Sequence, residues 1–334
     1  MAADETDRLL LVALQKGLPV DARPFARVGE ALGLGEEAVM ARVRALFESG
    51  VARRFGAVFD SRSLGYGSTL CAAEVPEPEL EAAVARIVPH AGITHCYERQ
   101  GSPNLWFTMT ALEAELDREI GRVAEALGRP VLNLPALRTF KIEAVFGKTE
   151  ERPPSTDEGR PASRAAVSLT ALEREVVRRL QSSLAVCEEP YAAVAHDAGI
   201  DEAELLALLR RWQREGVVRR IALVLRHREL GFAANSMCVW PAPRDRIERA
   251  GASLARSPHV SHCYERPAFE AFPYNLYAMI HARSQEEAVA LFERLGAEAG
   301  LAGGRMLWSR REFKKTSPVF FCEPAFASGK SGAA

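Results

Sequence analysis

A chain of 334 residues, 48% hydrophobic and 26% charged, has an ordinary folded composition and room for two to four small domains. Its net charge of −1 excludes a general attraction to nucleic acid and leaves only a local one. No apolar run approaches the roughly 18 residues of a membrane span. The acidic start MAADETD precedes too short an apolar run for a signal peptide. Cys71, Cys96, Cys187, Cys238, Cys263 and Cys322 form no CxxC pair, which argues against structural zinc or a disulfide framework and for a reducing, cytoplasmic location.

The chain opens with three expected short helices. DRLLLVALQKG follows Thr6 as cap and stops at Gly17; PFARVGEALG has Pro24 in its first turn; EEAVMARVRALFESG ends at Gly50. This is helix-turn-helix patterning, and VARRFGAVF then alternates as a wing strand. Next come the strand STLCAAEV, the helix EPELEAAVARIVPH, the strands ITHCYERQ and NLWFTMTA across the turn GSP, the helix LEAELDREIGRVAEAL and the strand ALRTFKIEAVF. That order is βαββαβ, the ferredoxin-like pattern of an antiparallel sheet with helices on one face.

The whole series then repeats. GVARRFGAVFDSRSLGY at Gly50 returns as GVVRRIALVLRHRELGF at Gly216, and HCYER at His95 returns at His262 (262 − 95 = 167). Phe140-Lys141 matches Phe313-Lys314 (313 − 140 = 173), so the second copy carries a few extra residues, mostly after Arg266. A Pro-, Ser- and charge-rich stretch between the copies reads as a linker. The expected class is α+β, a tandem repeat of winged helix-turn-helix plus ferredoxin-like domain. The expected boundaries are 1–62 and 63–148 in the first half, a linker at 149–166, and 167–228 and 229–325 in the second. Each half resembles the Lrp/AsnC family of regulators, in which the sheets of two subunits pack face to face; a fused tandem supplies both partners as an internal pseudo-dimer.

Side chains alternate across a strand. His95, Tyr97 and Arg99 therefore share one face, with Cys96 and Glu98 on the other, and His262, Tyr264 and Arg266 follow suit. Leu105, Phe107 and Met109 belong on the helix side, as do Leu276, Ala278 and Ile280. Asn104 and Trp106, and Asn275, Tyr277 and His281, are left on the open face. Phe140 and Phe313 are natural core residues, so Lys141 and Lys314 are expected to point the other way. A face of donors, cations and flat rings suits a large, flat, polyanionic ligand: Arg and Lys hold carboxylates, rings stack, and histidine moves a proton near neutral pH. His90, His196 and His259 have no repeat partner and read as surface residues; Trp212 and Trp240 read as packing.

RRFGAVFDSRSLGY, the two HCYER segments and PAFEAFPYNLYAMIHAR together resemble the siroheme decarboxylases of haem d1 synthesis, in a fused NirD–NirL arrangement. The resemblance spans both halves. It implies conversion of two acetate side chains of siroheme to methyl groups, giving 12,18-didecarboxysiroheme and two carbon dioxide molecules. It implies no added cofactor, since siroheme brings its own iron and its macrocycle can delocalise the charge left on carbon; no protein-bound metal is expected. His95, His262, Tyr97 and Tyr264 are the candidate catalytic residues. Candidate substrate-binding residues are Arg53, Arg54, Arg99, Asn104, Trp106 and Lys141 in the first half. In the second half they are Arg219, Arg220, His227, Arg266, Tyr274, Asn275, Tyr277, His281 and Lys314. The second half has the richer polar equipment and is expected to supply most of a cavity where the sheets meet. Partners implied are siroheme and other haem d1 biosynthesis proteins, with further homo-oligomerisation open. The alternatives are a DNA-binding regulator and a non-catalytic tetrapyrrole carrier. DNA binding is disfavoured because EEAVMARVRALFESG and DEAELLALLRRWQREG are acidic at the end that should enter a groove.

Overall fold

The structure, a computed structural model, describes residues 5–142, 166–225 and 234–322. The first half runs α1 (Glu5–Lys16), α2 (Pro24–Leu32), α3 (Glu36–Glu48), β1 (Ala52–Phe59), β2 (Tyr66–Ala73), α4 (Leu80–Ile87), β3 (Ile93–Arg99), β4 (Leu105–Leu112), α5 (Leu116–Leu127), β5 (Leu132–Leu134) and β6 (Arg138–Ile142). The second runs α6 (Ala171–Leu180), α7 (Pro190–Ala198), α8 (Glu202–Glu215), β7 (Val218–Leu225), β8 (Ala234–Trp240), α9 (Ile247–Ala255), β9 (Val260–Glu265), β10 (Leu276–Ala282), α10 (Gln285–Glu298) and β11 (Arg305–Lys315). The fold is α+β, a duplicated helix-turn-helix and ferredoxin-like plan. Among the described residues no helix is long and apolar enough to cross a membrane.

The duplicated parts regroup by kind into two compact units. One contains both three-helix segments with their wings and the tail Val319–Cys322. Local signals repeat in it: α2 and α7 each begin at proline, which needs no N–H in the first turn, and each stops at a left-handed glycine, Gly33 or Gly199. Thr170 and Glu173 form a reciprocal capping box on α6. Thr6, expected as a cap, lies inside α1, which already starts at Glu5. The wings β1 and β7 pair antiparallel, and each half's loop after its first helix clips the other's wing: Leu18 N donates to Ile221 O and Leu184 N to Phe55 O, both at 2.6 Å.

The second unit contains both ferredoxin-like segments, joined into one nine-stranded sheet in the order β5-β2-β4-β3-β11-β8-β10-β9-β6. The last strand of each half crosses to the other half. β11 begins on β8 (Leu307 opposite Met237) and ends on β3 (Glu312 opposite Tyr97). In the first half the crossing strand is not one strand, as the pattern predicts, but two: Pro135, which has no N–H for a ladder, separates β5 on β2 from β6 on β9.

The crossing corrects two expectations. Phe140 and Phe313 are core residues, but each packs on the helix-side core of the opposite half. A register shift at each phenylalanine then leaves the following lysine on that same side. Lys314 Nζ donates to the carbonyls of Val88 (2.7 Å) and His90 (3.0 Å) at the end of α4, and Lys141 Nζ to Ser257 O (2.9 Å) beyond α9. These cations close helix C-termini, where the backbone leaves carbonyls unpaired and partial negative charge, rather than facing the opposite side of the sheet.

Candidate active site

On the helix side, Leu105, Phe107, Met109 and Cys96 fill one core and Leu276, Ala278, Ile280 and Cys263 the other, as alternation requires. The other faces of the two halves meet on an apolar cluster of Ala72, Trp106, Leu134, Met237, Val239, Phe272, Tyr277 and Leu307. This interior is more apolar than the sequence reading allowed, and the polar groups border it.

Each HCYER strand is bulged at its start. Ile93 pairs with Met109 and His95 with Thr108; Val260 pairs with Ile280 and His262 with Met279. The extra residue, Thr94 or Ser261, lets Ile93 and Val260 stay in their cores while the hydroxyl and the histidine meet. In the second half this builds a chain of four side chains. Ser261 Oγ lies 2.7 Å from His262 Nδ1 and 2.6 Å from His281 Nε2, and His281 Nδ1 lies 2.6 Å from Asn235 Oδ1. With the amide oxygen facing it, His281 carries its proton on Nδ1. Its Nε2 then accepts from the serine hydroxyl, whose oxygen accepts from His262 Nδ1–H. His262 Nε2 is left as the basic nitrogen. Burial lowers the His262 pKa, with Arg266 adding to it, and pushes His281 down to about 4, with His262 as second cause. Both imidazoles are neutral at pH 7.

The same face continues through Tyr264 and Arg266. The His262 and Tyr264 rings are 6.1 Å apart, and the Arg266 guanidinium sits 4.7 Å from the Tyr264 ring and 5.6 Å from that of Tyr277. Arg266 Nη1 donates to Leu134 O on the strand from the other half. Its Nε and the Tyr277 hydroxyl are buried without a hydrogen-bond partner among the described residues. Burial lowers the Arg266 pKa and raises that of Tyr277. Unpaired buried donors are costly, and an anionic group satisfies them.

The first half keeps the geometry and changes the chemistry. Thr94, Thr110 and Ser68 occupy the positions of Ser261, His281 and Asn235; Thr110 Oγ1 donates to Ser68 Oγ at 3.1 Å, and Thr94 Oγ1 lies 3.0 Å from His95 Nδ1. His95 stacks near Tyr97 at 6.4 Å, and its pKa is lowered by burial and by Lys315. Tyr97 stands opposite Glu312 on the crossing strand, and its pKa is raised by burial first and by that carboxylate next. Arg99, only 7% exposed and held down to about 10 by burial, donates to Leu307 O and Ser309 Oγ, both at 3.1 Å.

Several expected ligand-binding residues are engaged elsewhere. Asn104 pairs with both backbone groups of Val75, and Asn275 with both of Ala242, at 2.7–2.9 Å, clasping the chain after β2 and β8. Trp106 is buried and donates to Pro103 O. Tyr274 packs on Phe272 with ring centroids 4.8 Å apart. Arg54 donates to Gln181 O, and Arg219 pairs with Asp60 at 2.7 Å, both inside the helix-and-wing unit; Arg53 and Arg220 are exposed there. His227 lies outside the described residues. His90, expected at the surface, is 2% exposed: Gly92 N donates to its Nδ1, and its Nε2 meets Glu119 at 3.1 Å. His196 is exposed, while Trp212 and Trp240 are buried as read. The sequence reading passed over Ser261 and Asn235. A hydroxyl precedes the histidine in both copies, THCYE and SHCYE, and that was the available signal for the first.

In α3 Arg42 is paired with Asp7 and Arg44 with Glu37 at 2.9 Å; in α8 Arg211 is paired with Glu173 and Arg210 donates to Val20 O at 2.9 Å, while Arg214 is exposed. Most of the basic side chains a nucleic-acid groove would need are thus engaged within the chain.

Comparison with known proteins gives a consistent result. Residues 63–141 and 229–314 match the AsnC-like ligand binding domain, and residues 7–53 and 173–219 match the siroheme decarboxylase NirDL-like HTH domain. The chain is 35% identical to a siroheme decarboxylase of Hydrogenobacter thermophilus over 96% of each sequence. It is 46% identical to the siroheme decarboxylase alpha subunit of Nitratidesulfovibrio vulgaris, over 43% of this chain and 82% of that one. Its fold is similar to the crystal structure of the siroheme decarboxylase NirDL in complex with an iron-uroporphyrin III analogue, with a TM-score of 0.77, 32% identity and 95% of each chain covered.

Proposed function

The chain belongs to the siroheme decarboxylase family, and from that premise we propose that it removes carbon dioxide from two acetate side chains of siroheme, giving 12,18-didecarboxysiroheme. The observation that carries the site assignment is the Asn235–His281–Ser261–His262 chain bordered by Arg266. We place the chemistry on this second-half face, with no added cofactor and no oxidant.

Siroheme is an iron tetrapyrrole rimmed by carboxylates, and it needs cations and flat surfaces. Arg266 supplies a fixed guanidinium with an unpaired buried N–H, and the Tyr277 hydroxyl beside it has no partner among the described residues. Both fit a carboxylate. Decarboxylation breaks the carbon–carboxylate bond heterolytically; carbon dioxide leaves, and the electron pair stays on the methylene carbon, delocalised into the macrocycle. One proton must then reach that carbon.

The histidine chain is suited to deliver it. Carboxylates brought near the imidazoles favour their charged forms, so the anionic substrate draws in the proton that the empty site excludes. With His281 doubly protonated, its Nε2–H donates to Ser261 Oγ, the serine hydroxyl donates to His262 Nδ1, and His262 bears its proton on Nε2. Transfer of that proton to carbon is followed by shifts through Ser261 from His281, which restores the neutral arrangement. Tyr264 flanks His262, and Arg266 offsets charge developing at the reacting side chain. His95 and Tyr97, in the copy without a second histidine, line the other half.

The test is anaerobic incubation of the purified chain with siroheme alone, followed by mass analysis. Loss of two carbon dioxide units is expected, and His262→Ala should bind siroheme yet leave its mass unchanged. Unaltered siroheme mass with the wild-type chain refutes the reading.

A further inference from the structure

The two copies of HCYER differ in what stands opposite them on the crossing strand. Tyr264 pairs with Thr139 and His262 with Ile142; Tyr97 pairs with Glu312 and His95 with Lys315. These are equivalent positions (312 − 139 = 173; 315 − 142 = 173). Ala136 likewise corresponds to Ser309 (309 − 136 = 173).

We propose that these crossing-strand residues decide which half admits the tetrapyrrole: Thr139 leaves the second-half face open to carboxylates, and Glu312 closes the first. In the first half, Glu312 stands opposite Tyr97, whose pKa is raised by burial and then by that carboxylate. Ser309 takes a second donor of Arg99, whose Nε is left without a partner among the described residues, as that of Arg266 is. Glu312 occupies the place a substrate carboxylate would need, and it repels one. Lys315, 3.9 Å from Glu312 and exposed, screens part of that repulsion, so the block rests on the place Glu312 takes beside Tyr97 as well as on its charge. Thr139 and Ala136 carry no charge, and the second-half face keeps its guanidinium for an incoming anion. The first half is thus a copy of the binding face with a carboxylate of its own set beside the tyrosine, and residues 139 and 312 are specificity determinants remote in sequence from either histidine.

This inference rests on the second-half face being the substrate site. Its test is an anaerobic absorbance titration of the full-length chain with siroheme, together with turnover. Thr139→Glu should weaken siroheme binding at least about tenfold relative to Thr139→Gln, which has similar size without the charge. Glu312→Thr should add a second binding step beyond the one stoichiometric step of the wild type. Equal affinities for the two Thr139 variants, or a wild-type stoichiometry already at two, overturns the proposal. A wild-type chain that neither binds nor decarboxylates siroheme instead overturns the proposed function, so the two failures are distinct.

Discussion

His281 is held neutral by burial, and that makes it an acid-labile point of the fold. Its pKa falls from 6.5 to about 4 in the folded chain. Above pH 6.5 both folded and unfolded states carry the neutral ring, and its stabilising arrangement is fully present. As the pH falls below 6.5 the unfolded chain takes up a proton that the folded chain refuses, so stability declines until the folded form titrates near pH 4. The ring is only partly buried and solvent screens it, so the complete loss is roughly 1–2 kcal/mol, most of it incurred by pH 4.5. Urea unfolding of the wild type and of His281→Asn at pH 7 and pH 4.5 isolates it. Carboxylates, His90 and His95 titrate in both proteins and largely cancel in the difference, while His262, which is coupled to His281, does not, and its titration is followed separately by NMR in each protein. The variant should lose roughly 1–2 kcal/mol less than the wild type between the two pH values. Parallel pH dependences would refute the buried, neutral assignment of His281 and with it the direction of the hydrogen-bond chain.

Three further outcomes are expected. His262→Ala should lower single-turnover decarboxylation by about 10²- to 10⁴-fold, Ser261→Ala by about tenfold, and His95→Ala by less than His262→Ala, with siroheme binding measured separately by absorbance. Lys314→Met should cost about 1–2 kcal/mol in urea unfolding, through two lost bonds to helix-end carbonyls, with siroheme affinity unmoved. Asn275→Ala should destabilise by about 2–4 kcal/mol, because it strands both backbone groups of Ala242, and should show as a lowered thermal midpoint.

The duplication, the element order and the side of each HCYER side chain were legible because strands repeat with period two and helices announce their ends with proline, glycine and capping residues. Lys141 and Lys314 were misread for a definite reason. Alternation assumes an unbroken ladder, and a bulge inserts one residue without marking the sequence. The same blind spot hid Ser261, which alternation assigns to the face opposite His262 but the bulge turns toward it. Asn104 and Asn275 looked like ligand donors because an amide on an open face is indistinguishable, in sequence, from one that clasps a neighbouring backbone. The exchange of last strands was illegible altogether. It depends on which edge lies nearest in space, and either pairing satisfies the same hydrophobic pattern. Pro135 marked a break but not the identity of the two sheet edges on either side.

That exchange explains why a half whose binding face carries a carboxylate of its own persists. Phe140 completes the second-half core and Phe313 the first. Lys141 and Lys314 close helices of the opposite half. Arg99 donates to Leu307 O and Arg266 to Leu134 O, so each anchors on the backbone of the other half. Neither ferredoxin-like segment has a complete sheet or core without the other. Folding therefore requires both copies, whichever of them carries the chemistry. The two faces differ at a few positions: Ser68 and Thr110 stand where the second half has Asn235 and His281, and Glu312 stands opposite Tyr97 where Thr139 stands opposite Tyr264. Under the proposal these are the positions that set proton transfer and anion admission, and they lie apart from the two helix-side cores.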